Sequence, residues 1–204
     1  MITDHHLRFA GSVAALACVA AFALALTPPA QAADKDGASN AVQAARGKYL
    51  VDTSGCHDCH TPFKMGPNGP APDMERMLSG HPESLQMPPV PALQQGPWLV
   101  VSSATNTAHA GPWGVSFTAN LTPDRDTGLG QWTANDFKDT IRTGRHMGRG
   151  RPVLPPMPIP VYNNFTDRDL EAIFAYLRTI PAVKNRVPEP WAQAQAVPTA
   201  PAAK

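Results

Sequence analysis

The sequence predicts an all-α fold that carries a long proline- and glycine-rich insert. Three observations predict it. Two stretches in the second half, from Thr133 and from Thr166, join an N-terminal capping residue to helical spacing of apolar side chains. A further helical stretch, from about Asn40 to Asp52, stands just before the motif Cys56-His57-Asp58-Cys59-His60. Residues 61 to 116, between these helices, are dominated by Pro, Gly, Ser and Asn, and the whole chain holds 23 prolines and 15 glycines. That composition favours short helices joined by loops.

Taken in order, residues 1 to 32 read as a secretory signal peptide. Arg8 gives a positive start, Phe9 to Leu26 is apolar, and Ala30-Gln31-Ala32 supplies a small-x-small cleavage site, so the mature chain begins at Ala33. Cys18 lies inside the apolar run, with Ala15 where a lipid-anchor signal wants leucine. The competing reading is an uncleaved anchor, because the run is close to the roughly 17 residues that span a bilayer. Membrane contact follows only in that case. Either reading puts the body outside the cytoplasm, in the periplasm.

In the first helix, Val42, Ala45 and Tyr49 share a face, and Gly47 interrupts good helix formers. A helix-interior glycine costs about 1 kcal/mol against alanine. Close approach by another helix would justify it; a tolerated surface glycine is the other reading. Residues 61 to 116 are read as an ordered wrapping, with a helical turn at Met74 to Leu78 and a short strand at Trp98 to Val101. Thr133 caps the next helix with Asp136 three residues on, and Gly144 ends it. Thr166 caps the last helix, whose Leu170, Ile173, Phe174 and Leu177 form a core stripe that Pro181 stops. The domain thus covers 33–187, and 188–204 is a mobile Pro/Ala-rich tail.

The spacing C-x-x-C-H is the attachment site of a c-type haem. Two thiols one helical turn apart can each bond one vinyl group of a porphyrin, and the next residue, His60, can ligate the iron. A redox disulfide would need a βαβ setting, and a structural zinc site would need two further ligands at short spacing. Neither is visible. One such motif means one covalently attached haem c. The formal net charge of +1 gives no basic footprint for nucleic acid.

The second axial ligand is read as Met157, in Leu154-Pro155-Pro156-Met157-Pro158 between two helices. Flanking prolines stiffen such a loop, and a thioether favours ferrous iron. Met147, Met65, His109 and His146 are weaker candidates, and Met74, Met77 and Met87 read as packing residues. Asn120, Thr122, Trp132 and Arg151 are candidate donors to the haem propionates. Arg142, Arg145, Arg149 and Arg151 cluster before the methionine loop, either as a solvated face or as a docking surface for a redox partner.

The order of helix, C-x-x-C-H, long loop, helix, methionine loop and final helix resembles the c-type cytochromes. More narrowly, it resembles a bacterial group of monohaem cytochromes related to cytochrome subunits of periplasmic dehydrogenases. Gly111-Pro-Trp-Gly-Val-Ser116, Asn120-Leu-Thr-Pro-Asp124 with Thr127-Gly-Leu-Gly130 and Trp132, and Gly150-Arg-Pro-Val-Leu-Pro-Pro-Met157-Pro carry the likeness. Asp169 to Leu177 and Asn185-Arg-Val-Pro188 complete it, over about Gly47 to Pro190. The resemblance implies a cytochrome c-like, all-α fold with the insert around the haem, and first and last helices crossing where Gly47 meets Tyr176. It implies His60 and Met157 as axial ligands. The expected function is outer-sphere electron transfer, with a dehydrogenase or a terminal oxidase as redox partner. A relay subunit of a dehydrogenase complex is the alternative. A haem enzyme with an open iron and His109 or His146 as acid/base is the rival.

Overall fold

The computed structural model describes residues 30–90 and 98–192. The chain divides into a leading unit, Met1–Ala38, and a body, Ser39–Lys204. The expected signal peptide up to residue 29, residues 91–97 and the expected tail from 193 lie outside the described residues. Among the described residues no helix is long and apolar enough to cross a membrane.

The described residues form five α-helices: α1 (Ala30–Thr53), α2 (Cys56–His60), α3 (Ala134–Thr143), α4 (Ile159–Tyr162) and α5 (Asp167–Leu177). The capping signals act as the sequence indicates. Thr133 and Asp136 form a reciprocal capping box on α3, Gly144 closes it in a left-handed conformation, and the Thr166 hydroxyl accepts from the Asp169 amide at the start of α5. Leu170, Ile173, Phe174 and Leu177 of α5 are buried against Leu50 and Val51 of α1 and Ile141 of α3. Each such side chain contributes about 1.5–3 kcal/mol on removal from water.

Helix α1 crosses α5 at Gly47. A Cβ there would collide with the Ala172 carbonyl and lie 2.8 Å from the Tyr176 Cβ. The Arg46 guanidinium latches the crossing with bonds of 3.0 and 3.2 Å to Asp169. This contact selects the buried face of α1, and it is not the face that Val42, Ala45 and Tyr49 share. Val42 and Tyr49 are 69% and 58% exposed, whereas Gly47, Leu50 and Val51 face inward. Positions three and four after the glycine follow it onto α5, and the apolar trio lies on the other side.

The expectation of an all-α fold is corrected by the insert, whose described residues form two small antiparallel sheets. Strands β1 (Phe63–Gly66) and β2 (Gly69–Pro72) form one hairpin. Strands β3 (Val101–Ser102), β4 (Ala108–Gly111) and β5 (Gly114–Phe117) form a second sheet in that order. The strand expected at Trp98 begins only at Val101. Both four-residue hairpins turn on the same pattern, Gly66-Pro-Asn-Gly69 and Gly111-Pro-Trp-Gly114, with the last glycine at φ 107° and 96°. Proline presets the first turn position, and the final glycine takes the left-handed backbone. The expected turn at Met74 is a 3-10 turn, Met74–Arg76.

Ala108, Ala110, Val115 and Phe117 build a second core with Met87, Val90, Val187 and Trp191. Trp191 pairs with Val115 through main-chain bonds of 3.0 and 3.1 Å, so the fold continues beyond the expected boundary at 187. Fully buried Asn185 joins the insert to the C-terminal segment. Its amide donates to the Ser79 and His81 carbonyls, and its oxygen accepts from Arg76 and the Glu83 amide.

We expect Gly47→Leu to destabilise the protein by about 1–3 kcal/mol through overpacking against a backbone that cannot withdraw. Urea denaturation followed by circular dichroism checks it. An unchanged midpoint would contradict the crossing.

Candidate haem site

Helix α2 puts Cys56 and Cys59 on one face, and His60 follows at its end. The helix starts from Gly55 at φ 74°, and the Tyr162 phenol, donating to the Ser54 carbonyl at 2.6 Å, fixes the residue before it. Burial pushes the Tyr162 phenol up to about 12.

His60 is buried, and its Nδ1 lies 2.8 Å from the Ala119 carbonyl. A carbonyl only accepts, so Nδ1 carries the proton and Nε2 keeps a free lone pair. Burial holds the imidazole below its usual range. That arrangement leaves a neutral, oriented imidazole that is able to ligate a metal.

Cys56 and Cys59 are free thiols. Burial pushes Cys56 up to about 11 and raises Cys59 as well. Among the described residues no group of three His, Cys, Asp or Glu side chains gathers to hold a metal ion.

Cys56, Cys59, His60 and Met157 line one cavity of about 680 Å³, within the 300–1,000 Å³ range of pockets that enclose whole ligands. Leu170, Ile173 and Leu177 of α5, with Phe137 and Ile141 of α3, supply apolar wall. Another wall is the stretch from Ser116 to Leu121. Among the described residues of the insert, only this end reaches the cavity. The expectation that residues 61 to 116 wrap its edge is corrected: β1 and β2 form a largely exposed hairpin, and β4 and β5 turn their apolar side chains into a separate core.

The segment Asn120 to Trp132 folds back on itself. The Asp124 carboxylate accepts from the Thr127 amide and hydroxyl, which holds it below the usual carboxylate range. Asn120 lies on the cavity wall, but its side-chain amide is committed elsewhere. It donates to the Val183 carbonyl at 2.8 Å and to Thr127 and Asn185, and its oxygen accepts from the Thr122 amide and hydroxyl. Thr122 is buried in the same network. These two side chains brace the wall and have no group left for a propionate.

Trp132 and Arg151 do reach the cavity. The Trp132 ring meets His146 edge-on at 4.8 Å, and Arg151 pairs with Glu189 at 3.2 Å. Two exposed arginines that the sequence reading does not name as propionate donors, Arg125 and Arg186, line the same mouth. Nothing local marks them, since Arg186 arrives from beyond the last helix. The arginine cluster read from the sequence is divided: Arg142 bonds Asn163, Phe165 and Asp167, and Arg145 bonds the Gly150 carbonyl.

Met157 is half-buried against the main core. Met147, the weaker candidate, also lines the cavity, from a 3-10 turn (His146–Gly148) where its φ is 51°. Met65 is exposed on β1.

His146 lines the cavity, whereas His109 lies in β4 off its wall, with Nδ1 2.9 Å from the Ser102 hydroxyl. His81, which the sequence did not single out, is completely buried. Its Nε2 faces the Leu85 carbonyl at 3.1 Å and so donates, leaving Nδ1 to accept from Thr107 at 2.9 Å. Burial holds His81, His109 and His146 below their usual range.

This site resembles, in its motif and its donor set, that of c-type cytochromes, and the comparisons agree. The chain is similar to cytochrome c subunits of dehydrogenases. It is 27% identical over 152 residues to the fructose dehydrogenase cytochrome subunit of Gluconobacter japonicus, covering 72% of this chain and 24% of that protein. It is 37% identical over 67 residues to the gluconate 2-dehydrogenase cytochrome c subunit of Pantoea cypripedii, covering 33% of this chain and 15% of that one. It is also 27% identical over 172 residues to the cytochrome c subunit of the alcohol dehydrogenase (quinone) of Gluconacetobacter polyoxogenes, covering 84% of this chain and 27% of that relative. The chain thus spans less than a third of the length of these relatives. No family model matches it.

The buried histidines make stability depend on pH. Their folded values lie below the unfolded value of about 6.5, so the unfolded chain binds protons first. Stability is complete above that pH and is lost as pH falls from it toward the folded values. Urea midpoints should be level from pH 8 to 7 and decline toward pH 5.5. His81→Gln should make that decline shallower; an unaltered slope would exclude His81 as a contributor.

Proposed function

We propose that this chain is a periplasmic electron-transfer protein carrying one covalently attached haem c with His60 and Met157 as axial ligands. The observation that carries the reading is His60, whose Nδ1 is tied to the Ala119 carbonyl while Cys56, Cys59 and Met157 line the same cavity. The residues present fit that group. Two thiols one turn apart suit its two vinyl carbons, the free imidazole lone pair suits its iron, and the arginines at the mouth suit its carboxylates.

When bound, haem c supplies an iron that alternates between Fe(III) and Fe(II). The protein's part is to hold and to exclude. Cys56 and Cys59 would anchor the porphyrin, His60 would give its Nε2, and Met157 its sulfur. The apolar walls from α3 and α5 exclude water, which favours the less charged ferrous state. Trp132, Arg151, Arg125 and Arg186 would receive the propionates. With His60 and Met157 both holding the iron, no position would be open to substrate, and the chain would work by electron transfer and not as a haem enzyme.

The names of the relatives support a role as electron relay beside a dehydrogenase. Redox partners are therefore a dehydrogenase on one side and a terminal oxidase or another carrier on the other. A chain that co-purifies with a dehydrogenase at native expression is a relay subunit; one that elutes alone is a free carrier.

Mass spectrometry should find one haem per chain, retained in acid acetone. Met157→Ala should abolish the weak far-red sulfur-to-iron band of the oxidised protein, lower the potential and admit cyanide readily. An unchanged spectrum and potential would dismiss Met157 and turn attention to Met147, the other thioether on the cavity wall.

A further inference from the structure

The methionine loop is poorly anchored by its own backbone. Pro155, Pro156 and Pro158 have no N–H to donate. Before the loop, the Val153 amide bonds the Gly144 carbonyl at 2.8 Å; after it, Ile159 bonds back to the Met157 carbonyl at 2.9 Å, within the loop itself. Between these points, among the described residues, one hydrogen bond joins residues 154–157 to another element. The Ser116 hydroxyl of β5 donates to the Pro155 carbonyl at 2.6 Å. Its other acceptor, the His109 carbonyl, is 3.3 Å away, so the single proton goes to Pro155.

Ser116 is itself firmly held. It is buried, faces His109 across the β4–β5 ladder, and lines the haem cavity. Its neighbours Val115 and Phe117 are fixed in the second core, and Val115 is bonded to Trp191 on its far side. The serine is therefore a rigid post, and the methionine loop hangs on it.

We infer that Ser116 is a positioning residue for the iron–methionine bond: the insert sheet clamps the loop at Pro155 and so sets how often Met157 leaves the iron. This rests on the reading of Met157 as ligand. The sheet then has a task beyond filling space. It converts the order of the second core into occupancy of an axial position, two residues from the clamp.

An external ligand reaches the iron only when the methionine is off, so its apparent affinity scales with the open fraction. Cyanide titration of the ferric holoprotein reads that fraction. Ser116→Ala removes one hydrogen bond and should tighten cyanide about three- to tenfold. It should also lower the midpoint potential, with haem content unchanged. Ser116→Thr keeps the hydroxyl and should restore both values. Ser102→Ala, which breaks a side-chain bond to His109 in the same sheet, should change neither. Met157→Ala sets the fully open limit.

Wild-type cyanide affinity and potential in Ser116→Ala, with both altered in Met157→Ala, would overturn the clamp and leave the ligand assignment standing. An equal effect of Ser102→Ala, or no rescue by threonine, would also overturn it, as general loosening of the sheet. A Met157→Ala protein with unchanged affinity and potential would sink clamp and ligand together.

Discussion

The side-chain amide of Asn120 stands one residue after the carbonyl that orients His60, and it bonds only protein. It reaches across to the Val183 and Asn185 carbonyls, beyond the last helix, and takes the amide and hydroxyl of Thr122 on its other side. Asn185 in turn holds the Ser79 and His81 carbonyls, at the start of the insert. Three stretches far apart in sequence are thus fixed by two buried carboxamides. Polar groups buried this completely cost little while every donor and acceptor is met, and much if one is lost. The position of Ala119, and with it the tautomer of His60, depends on that closed set. The motif Cys56 to His60 supplies the imidazole, but this network aims it.

The second constraint is steric. Gly47 lets α1 meet the backbone of α5, and α2 follows α1 after two residues, so the crossing sets where the cysteines enter the cavity. The two devices act from opposite sides. One places the helix that bears His60, and the other places the carbonyl that receives its proton.

Much of this was legible in the sequence. Helices α3 and α5 carry their own start and stop signals, and the spacing C-x-x-C-H names residues that the fold brings to one cavity. The hairpins were not read, because strands of four residues built from Gly, Ala, Pro and Ser show little alternation. The signal that marks them is in the turns, where Gly-Pro-x-Gly occurs twice at the same structural position. The outward stripe of α1 misled because Val42, Ala45 and Tyr49 satisfy helical spacing, while the buried face is chosen by a residue with no side chain. Asn120 was read as a propionate donor since a polar residue in a loop shows its chemistry but not its partners. Arg125 and Arg186 reach the cavity mouth through tertiary placement, which no local pattern records.

The loop of Met157 has one more property that follows from its composition. Within Leu154-Pro155-Pro156-Met157-Pro158 only two residues possess an amide hydrogen, and neither donates to a partner among the described residues. Deuterium uptake is slowed by bonded amides, and a stretch with none exchanges at the same pace whether it is seated or lifted. Peptide-level exchange would therefore report the flanking helices and pass over the loop in silence. Motion there can be followed only through groups it touches.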